Sequence, residues 1–328
     1  MIHYISAAVA AFLIVVLVVL YYCPAFTADK HETSFHVKED MTARDIGDEL
    51  QREGLISSAT LFRLAASVSG NGSQIKQGTY VLDSHMSMSS LFAKLTSGKS
   101  EAMRLVIPEG YTVQQIAKQL EKQEIVSADD FLAEARKTDL LYAYMKGNRV
   151  VTFPTEGFLF PDTYFIPAGA TASDIIKLML DNFDHQLTPD LRKEIDGHNM
   201  SIYQFVTLAS LVEKEAKYEA DREPIAAVFY KRLKINMPLQ SDASISYAMG
   251  TYKAAYSIEE TKYDSPYNTY QNTGLPPGPI ANPGMDCIKA AADAQDTEYL
   301  FFVADSSGHN HFSTTYEEHL KNVEEYGQ

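Results

Sequence analysis

The segment RLVIPEGYTVQQIAKQL, residues 104–120, contains the two periodicities that decide the fold class. Two apolar residues alternate with other residues, then a threonine precedes apolar residues spaced four apart, at positions Leu105, Ile107, Thr112, Ile116 and Leu120. Alternation is typical of a half-buried strand, and a four-residue spacing places side chains on one face of a helix. Threonine is a good N-cap because its oxygen accepts hydrogen bonds from the first helical turn. The segment therefore predicts a strand, a turn and a capped helix.

The same pattern occurs twice more towards the N-terminus. The first copy consists of Phe35, Val37, Thr42, Ile46 and Leu50, and the second of Tyr80, Leu82, Ser87, Leu91 and Leu95. Small strand–helix units of this kind resemble the LysM-type modules that hold glycan chains. We therefore predict a LysM-like module at residues 33–100 and a connecting strand–helix segment at residues 101–150. The alternative is that strand–helix units are common and that the three matches are coincidental.

The N-terminus predicts a transmembrane anchor at residues 1–28. No charged residue occurs between residues 4 and 28, and a helix needs about 20 apolar residues to cross the hydrocarbon layer. A cleaved signal peptide is the alternative, but no Lys or Arg precedes the apolar run. Bulky Tyr21 and Tyr22 argue against lipidation of Cys23. We expect a single-pass cell-membrane protein with a cytoplasmic N-terminus and an extracytoplasmic bulk.

The composition excludes several classes of function. The chain has 328 residues, enough for about two domains, and a net charge of −15 from 28 basic and 43 acidic residues. Such an acidic chain is not expected to bind nucleic acid, where neutralisation of phosphates dominates affinity. Its two cysteines cannot form a disulfide framework. His309 and His311 lack a third suitably spaced ligand, so we predict no metal and no cofactor.

Candidate acids lie in a predicted helix that begins after Ser201 and extends to about Tyr218. An apolar stripe runs along this helix, and Glu213 and Glu215 follow near its end. Residues two apart lie roughly 200° apart around a helix, so the two carboxylates flank the stripe and cannot form a close dyad. The periodicity does not choose between them. A second helix is predicted at residues 222–233.

Two further segments indicate a sugar-binding loop. EGFLFPDTY, residues 156–164, reads as a buried turn in which Glu156 and Asp162 cap turns. YNTYQNTGLPPGPIANPG, residues 267–284, is a proline- and glycine-rich loop that presents amide, hydroxyl and phenol groups. Such groups suit a sugar, since hydroxyls form hydrogen bonds and aromatic rings stack on pyranose faces. Asn268, Tyr270 and Asn272 of this loop are candidate substrate-binding residues.

Five motifs in this order resemble the endolytic murein transglycosylase family, the YceG-like, membrane-anchored peptidoglycan lytic transglycosylases. They are EGFLFPDTY, ASLVEKEA (209–216), LQSD (239–242), the loop at 267–284 and YLFFVAD (299–305). The resemblance implies an α+β fold: an N-terminal transmembrane helix, the LysM-like module and a larger α+β catalytic domain at residues 151–328. It also implies that Glu215, the second Glu of the E-K-E motif, is the catalytic acid. With Glu215 as the acid, the further candidate substrate-binding residues are Glu213, Ser241, Asp242 and Tyr247.

The activity implied by the resemblance is that of a lyase. It would cleave the MurNAc–GlcNAc bond of peptidoglycan glycan strands endolytically, leave a 1,6-anhydro-MurNAc end and terminate nascent strands. Peptidoglycan synthases or divisome and elongasome proteins are the partners that the resemblance implies. Two alternatives remain: a muramidase-type hydrolase, and a non-catalytic scaffold that binds peptidoglycan.

Overall fold

The computed structural model describes residues 32–38, 41–98, 102–147, 151–167, 169–251, 253 and 256–327. It mixes helices with short two-stranded sheets, which confirms the predicted α+β class. The predicted anchor at residues 1–28 lies outside the described residues. Within the described ranges, no helix combines the length and the apolar character needed to cross a membrane. The described chain divides into two compact units, residues up to 105 with 164–169, and residues 106–163 with 170–327.

The first unit contains the first two copies of the repeat. Its elements are β1 (Glu32–Val37), α1 (Ala43–Arg52), α2 (Ala59–Ser69), β2 (Gly78–Asp83), α3 (Met88–Ser97), β3 (Ala102–Val106) and β4 (Thr163–Pro167). β1 pairs antiparallel with β2 so that Phe35 lies opposite Tyr80, and both side chains are buried. Thr42 and Ser87 cap α1 and α3 through their side chains. Both copies therefore have the strand and capped helix expected from their sequence.

The second unit contains most of the helices. Its elements are α4 (Val113–Lys122), α5 (Ala128–Ala135), α6 (Ala172–Gln186), α7 (Pro189–Gly197), α8 (Ile202–Glu215), α9 (Glu219–Lys234), α10 (Asp242–Met249), α11 (Met285–Asp293), β5 (Phe301–Ala304), β6 (Asn310–Ser313) and α12 (Tyr316–Tyr326). α8 packs against α7, α9, α10 and α11. β5 and β6 form an antiparallel hairpin followed by α12. Thr112 caps α4 in a capping box with Gln115, as the third copy of the repeat predicts.

Helix α8 differs from its prediction in two respects. It ends at Glu215 rather than near Tyr218, because Ala216 takes an extended conformation. Every residue from 205 to 212 is buried, so the helix is enclosed on all sides instead of burying one stripe. Enclosure requires its polar groups to be bonded, and Ser210 Oγ accepts a hydrogen bond from Ile280 N at 3.0 Å. The next helix, α9, begins at Glu219, three residues earlier than predicted.

Candidate active site

Glu215 is the last residue of α8, and its side chain is partly exposed. The Ser241 hydroxyl donates a hydrogen bond to its Oε1. Desolvation raises the pKa of Glu215, the hydrogen bond from Ser241 lowers it, and the charge of Asp242 raises it. A carboxyl that is surrounded by protein, reached by solvent and biased towards its protonated form can act as a general acid near neutral pH.

The turn before α10 carries Ser241 and has a strained backbone. Gln240 has a φ of 50°, in the left-handed region that residues other than glycine rarely adopt. Thr269 holds the turn: its carbonyl accepts from Gln240 N at 3.1 Å and its hydroxyl accepts from Ser241 N at 2.9 Å. Such strain persists only where surrounding contacts determine the conformation, and it often occurs at functional sites.

Arg232 of α9 fixes the segment that leads into this turn. The side chain is 5% exposed and donates from Nη1 to the Leu239 carbonyl at 2.7 Å and from Nε to the Leu300 carbonyl at 2.6 Å. Burial lowers the pKa of Arg232 to about 10, so the guanidinium remains charged at neutral pH. Arg232 thus stabilises the turn through its bond to the Leu239 carbonyl and adds a positive charge near Glu215.

Asp242 and Tyr270 lie together beside Glu215. The Tyr270 hydroxyl donates to Asp242 Oδ1 at 2.7 Å, and both side chains are partly exposed. Burial, followed by the neighbouring Asp242 charge, raises the pKa of Tyr270, so the phenol stays protonated. The structure therefore brings Glu215, Ser241, Asp242 and Tyr270 into one cluster.

Glu213 bonds a different segment. Its Oε2 accepts from the backbone N–H of Gly284, the N-cap residue of α11, at 3.0 Å. A carboxylate near a helix N-terminus is favoured by the helix dipole. Lys214, between the two acids, donates to the Gly110 carbonyl at 3.4 Å, and burial lowers its pKa. Glu213 and Glu215 thus serve separate segments, as expected for acids on opposite flanks of one helix.

Glu156 is a buried acid whose environment the sequence did not reveal. The residue is 3% exposed, and its Oε1 accepts from Val113 N and from Asn282 Nδ2, both at 3.1 Å. Tyr247 donates to its Oε2 at 3.2 Å. Burial raises the pKa of Glu156 to about 8. Instead of capping a local turn, Glu156 therefore joins the first turn of α4 to α10 and to the loop before α11.

The two predicted asparagines bond within their own loop. Asn268 is 0% exposed; its Nδ2 donates to the carbonyls of Thr261 and Tyr263, and its Oδ1 accepts from Tyr270 N. Asn272 Nδ2 donates to the carbonyls of Ser265 and Asn268, both at 3.0 Å. These contacts make Asn268 a residue that shapes the loop, and sugar binding by either asparagine stays a prediction. Tyr247, in contrast, remains partly exposed and packs on Tyr267 with ring centroids 4.9 Å apart.

His309 and His311, which the sequence left without a third metal ligand, lie in other contacts. His309 stacks on Tyr218 at 3.8 Å between ring centroids, and His311 Nε2 lies 3.1 Å from Asp305 Oδ2. Across the described ranges, no three His, Cys, Asp or Glu side chains are grouped so as to hold a metal ion.

Comparisons with known proteins give a consistent result. The model of the YceG-like family matches residues 35–325. The endolytic murein transglycosylase of Bacillus subtilis (strain 168) is 35% identical over 320 residues, covering 92% of this chain and 87% of that protein. The endolytic murein transglycosylase of Streptococcus pneumoniae (strain D39) is 34% identical over 331 residues, and this chain spans 60% of its length. A YceG-like protein from Listeria monocytogenes, solved at 2.6 Å, is 33% identical with a TM-score of 0.63, covering 88% of this chain and 98% of that one.

Proposed function

The chain belongs to the YceG-like family, and from this membership we infer that it is a peptidoglycan lytic transglycosylase, a lyase in which Glu215 is the acid. The environment of the Glu215 carboxyl carries the assignment of the acid. This carboxyl is partly exposed at the end of a helix whose residues 205–212 are buried, it is biased towards the protonated form, and Ser241 holds one of its oxygens.

The reaction needs one acid because the substrate carries its own nucleophile. Protonated Glu215 donates to the glycosidic oxygen as the bond from that oxygen to C1 of N-acetylmuramic acid breaks. The C6 hydroxyl of the same sugar attacks C1, and the new carboxylate of Glu215 removes its proton. One C–O bond is broken and one is formed, no water is consumed, and Glu215 returns to its acid form with a 1,6-anhydro ring as product.

Family membership favours this course over hydrolysis and over a scaffold, because the relatives are named endolytic murein transglycosylases. Hydrolytic glycosidases use a second carboxylate that activates water or attacks the sugar. Glu213 accepts from Gly284 N, and Glu156 is buried among three donors, so both hold segments of the protein. Asp242, the carboxylate beside Glu215, accepts a hydrogen bond from the Tyr270 hydroxyl.

The remaining expectations become parts of the same proposal. We propose Asp242, Tyr247, Tyr270 and Asn272 as sugar contacts, because solvent reaches all four side chains and the first and third lie beside Glu215. Residues 1–28 would anchor the chain in the cell membrane, with the bulk outside the cytoplasm, and residues 33–100 would bind glycan as a LysM-like module. Termination of nascent strands and contact with peptidoglycan synthases are supported by the family resemblance.

Digestion of purified sacculi by the full-length chain tests the activity. We expect products with 1,6-anhydro ends, which mass spectrometry distinguishes from reducing ends because they are lighter by one water. Glu215→Gln should abolish release, since an amide cannot donate the proton, while far-UV circular dichroism stays unchanged. Glu223→Gln, at an exposed position of α9, is the matched control and should retain full activity. Anhydro products from Glu215→Gln at the wild-type rate would refute the assignment.

A further inference from the structure

Ser241 occupies the N-cap position of α10 but does not cap it. A serine at this position normally accepts from a backbone N–H of the first turn, which stabilises the helix by about 1 kcal/mol. Ser58, Ser127 and Ser201 do so in α2, α5 and α8. The Ser241 hydroxyl makes no such bond with the described residues and instead donates to Glu215 Oε1. The hydroxyl therefore bonds a residue 26 positions away in the chain instead of the first turn of its own helix.

A buried network holds Ser241 in this orientation. Its side chain is 2% exposed, its N–H donates to Thr269 Oγ1, and its carbonyl accepts from Ser244 Oγ at 2.7 Å. Ser244 and Thr269 are themselves 2.9 Å apart between their hydroxyl oxygens. Together with the left-handed Gln240, these contacts leave the serine little freedom.

We propose that Ser241 is a positioning residue that fixes the carboxyl group of Glu215, so that Oε1 is held by the protein and the acidic proton is presented from Oε2 to the glycosidic oxygen. This inference rests on the proposed function of Glu215. The left-handed conformation of Gln240 then orients the Ser241 hydroxyl towards Glu215 and away from the first turn of α10. After the proton has left, the same hydrogen bond holds the carboxylate for removal of the C6-hydroxyl proton.

Ser241 also affects the protonation of Glu215. A hydrogen bond donated to a carboxylate favours the ionised form, and the bond from Ser241 lowers the pKa that burial raises. The other groups that act on Glu215 are the backbone N–H of Ala243, which also lowers its pKa, and the side chains of Asp242, Arg232, Lys214 and Tyr270. Removing only the Ser241 hydroxyl leaves all of these in place. The alkaline limb of the rate, which reports loss of the acid form, should therefore move to higher pH.

The test compares Ser241→Ala, Ser241→Cys and Ser241→Thr in the full-length chain, with the rate of anhydro-product release measured against pH. Loss of a hydrogen bond to an ionisable group predicts a fall in kcat of roughly 10- to 100-fold for alanine, with little change in KM. Threonine keeps the hydroxyl and should restore most of kcat. Cysteine fills a similar volume with a weak donor, so it supports the test even if the alanine variant does not fold.

The outcomes separate this inference from the function on which it rests. A reduced kcat and a raised alkaline limb in the cysteine variant, with threonine near wild type, support the positioning role. A cysteine variant with the wild-type kcat and alkaline limb overturns it while Glu215→Gln is inactive. If Glu215→Gln is active, the proposed function fails and the inference fails with it.

Discussion

Replacing Glu156 by glutamine should make the free energy of unfolding less dependent on pH, because glutamine does not ionise. Glu156 is buried with a pKa raised to about 8 from an ordinary value of 4.5, so the folded chain retains this proton where the unfolded chain releases it. An acid whose pKa is raised on folding contributes stability that is complete below about pH 4.5 and is lost as the pH rises to about 8. One pKa unit corresponds to 1.36 kcal/mol, so the loss is on the order of 4–5 kcal/mol.

The geometry makes glutamine a matched replacement. Its Oε1 can still accept from Val113 N and Asn282 Nδ2, and its amide NH2 takes the place of Oε2 beside Tyr247. The phenol oxygen of Tyr247 can accept from that NH2 group, while its own proton turns towards the neighbouring Tyr267 hydroxyl, so the donors and acceptors stay paired. The variant should therefore fold with the same contacts and without an ionisable group.

Urea denaturation followed by far-UV circular dichroism, from about pH 5 to pH 8.5, measures the effect. The free energy of unfolding of the wild type should fall more steeply with pH than that of Glu156→Gln, and the variant should be the more stable of the two at the alkaline end. Glu215 contributes to both curves and cancels in the difference. Glu223→Gln, on the exposed side of α9, should follow the wild type. Parallel curves for wild type and Glu156→Gln would refute the reasoning.

Three further substitutions test the turn and the loop beside Glu215. Arg232→Lys should lower the free energy of unfolding by about 2–4 kcal/mol and reduce kcat, because an ammonium group cannot bond the carbonyls of Leu239 and Leu300 together as the guanidinium does. A variant with the melting temperature of the wild type would contradict this. Asn268→Ala should cost about 1–3 kcal/mol in thermal denaturation because it leaves buried loop groups unpaired, and an unchanged melting temperature would show that the loop holds without the amide. Gln240→Gly should keep kcat and raise the melting temperature slightly, because glycine adopts the positive φ without strain; a large loss of kcat would show that the Gln240 side chain is needed.

The local features of this fold could be predicted from sequence because they depend on neighbours in the chain. Thr42, Ser87 and Thr112 cap helices through residues three positions on, and the strand patterns of β1 and β2 lie in the same short segments. The end of α8 was misplaced because residues 213–218 contain no glycine or proline that would mark a helix end, whereas Ala216 takes an extended conformation.

The sequence indicated which side chains are candidates for the site, but it did not indicate which contacts these side chains make in the fold. Helical geometry left Glu213 and Glu215 equivalent, and what distinguishes them is contact with Gly284 and with Ser241, far along the chain. Glu156 depends on partners 43 and 91 residues away, so its burial has no local signal. Asn268 was predicted as a sugar contact because a rigid loop that presents amide groups suits a sugar, and its burial depends on contacts with Thr261 and Tyr263 that the residue types do not reveal.

The hydrogen bond from Arg232 to the Leu300 carbonyl has a consequence for mapping function by truncation. Leu300 immediately precedes β5, so the acceptor of a buried guanidinium belongs to the C-terminal hairpin. Deleting the chain from Leu300 onwards would leave the Arg232 Nε–H without its acceptor. Chains shortened in this way would lose activity although Glu215 and the proposed sugar contacts are all still present, and a deletion series would wrongly assign catalysis to the hairpin.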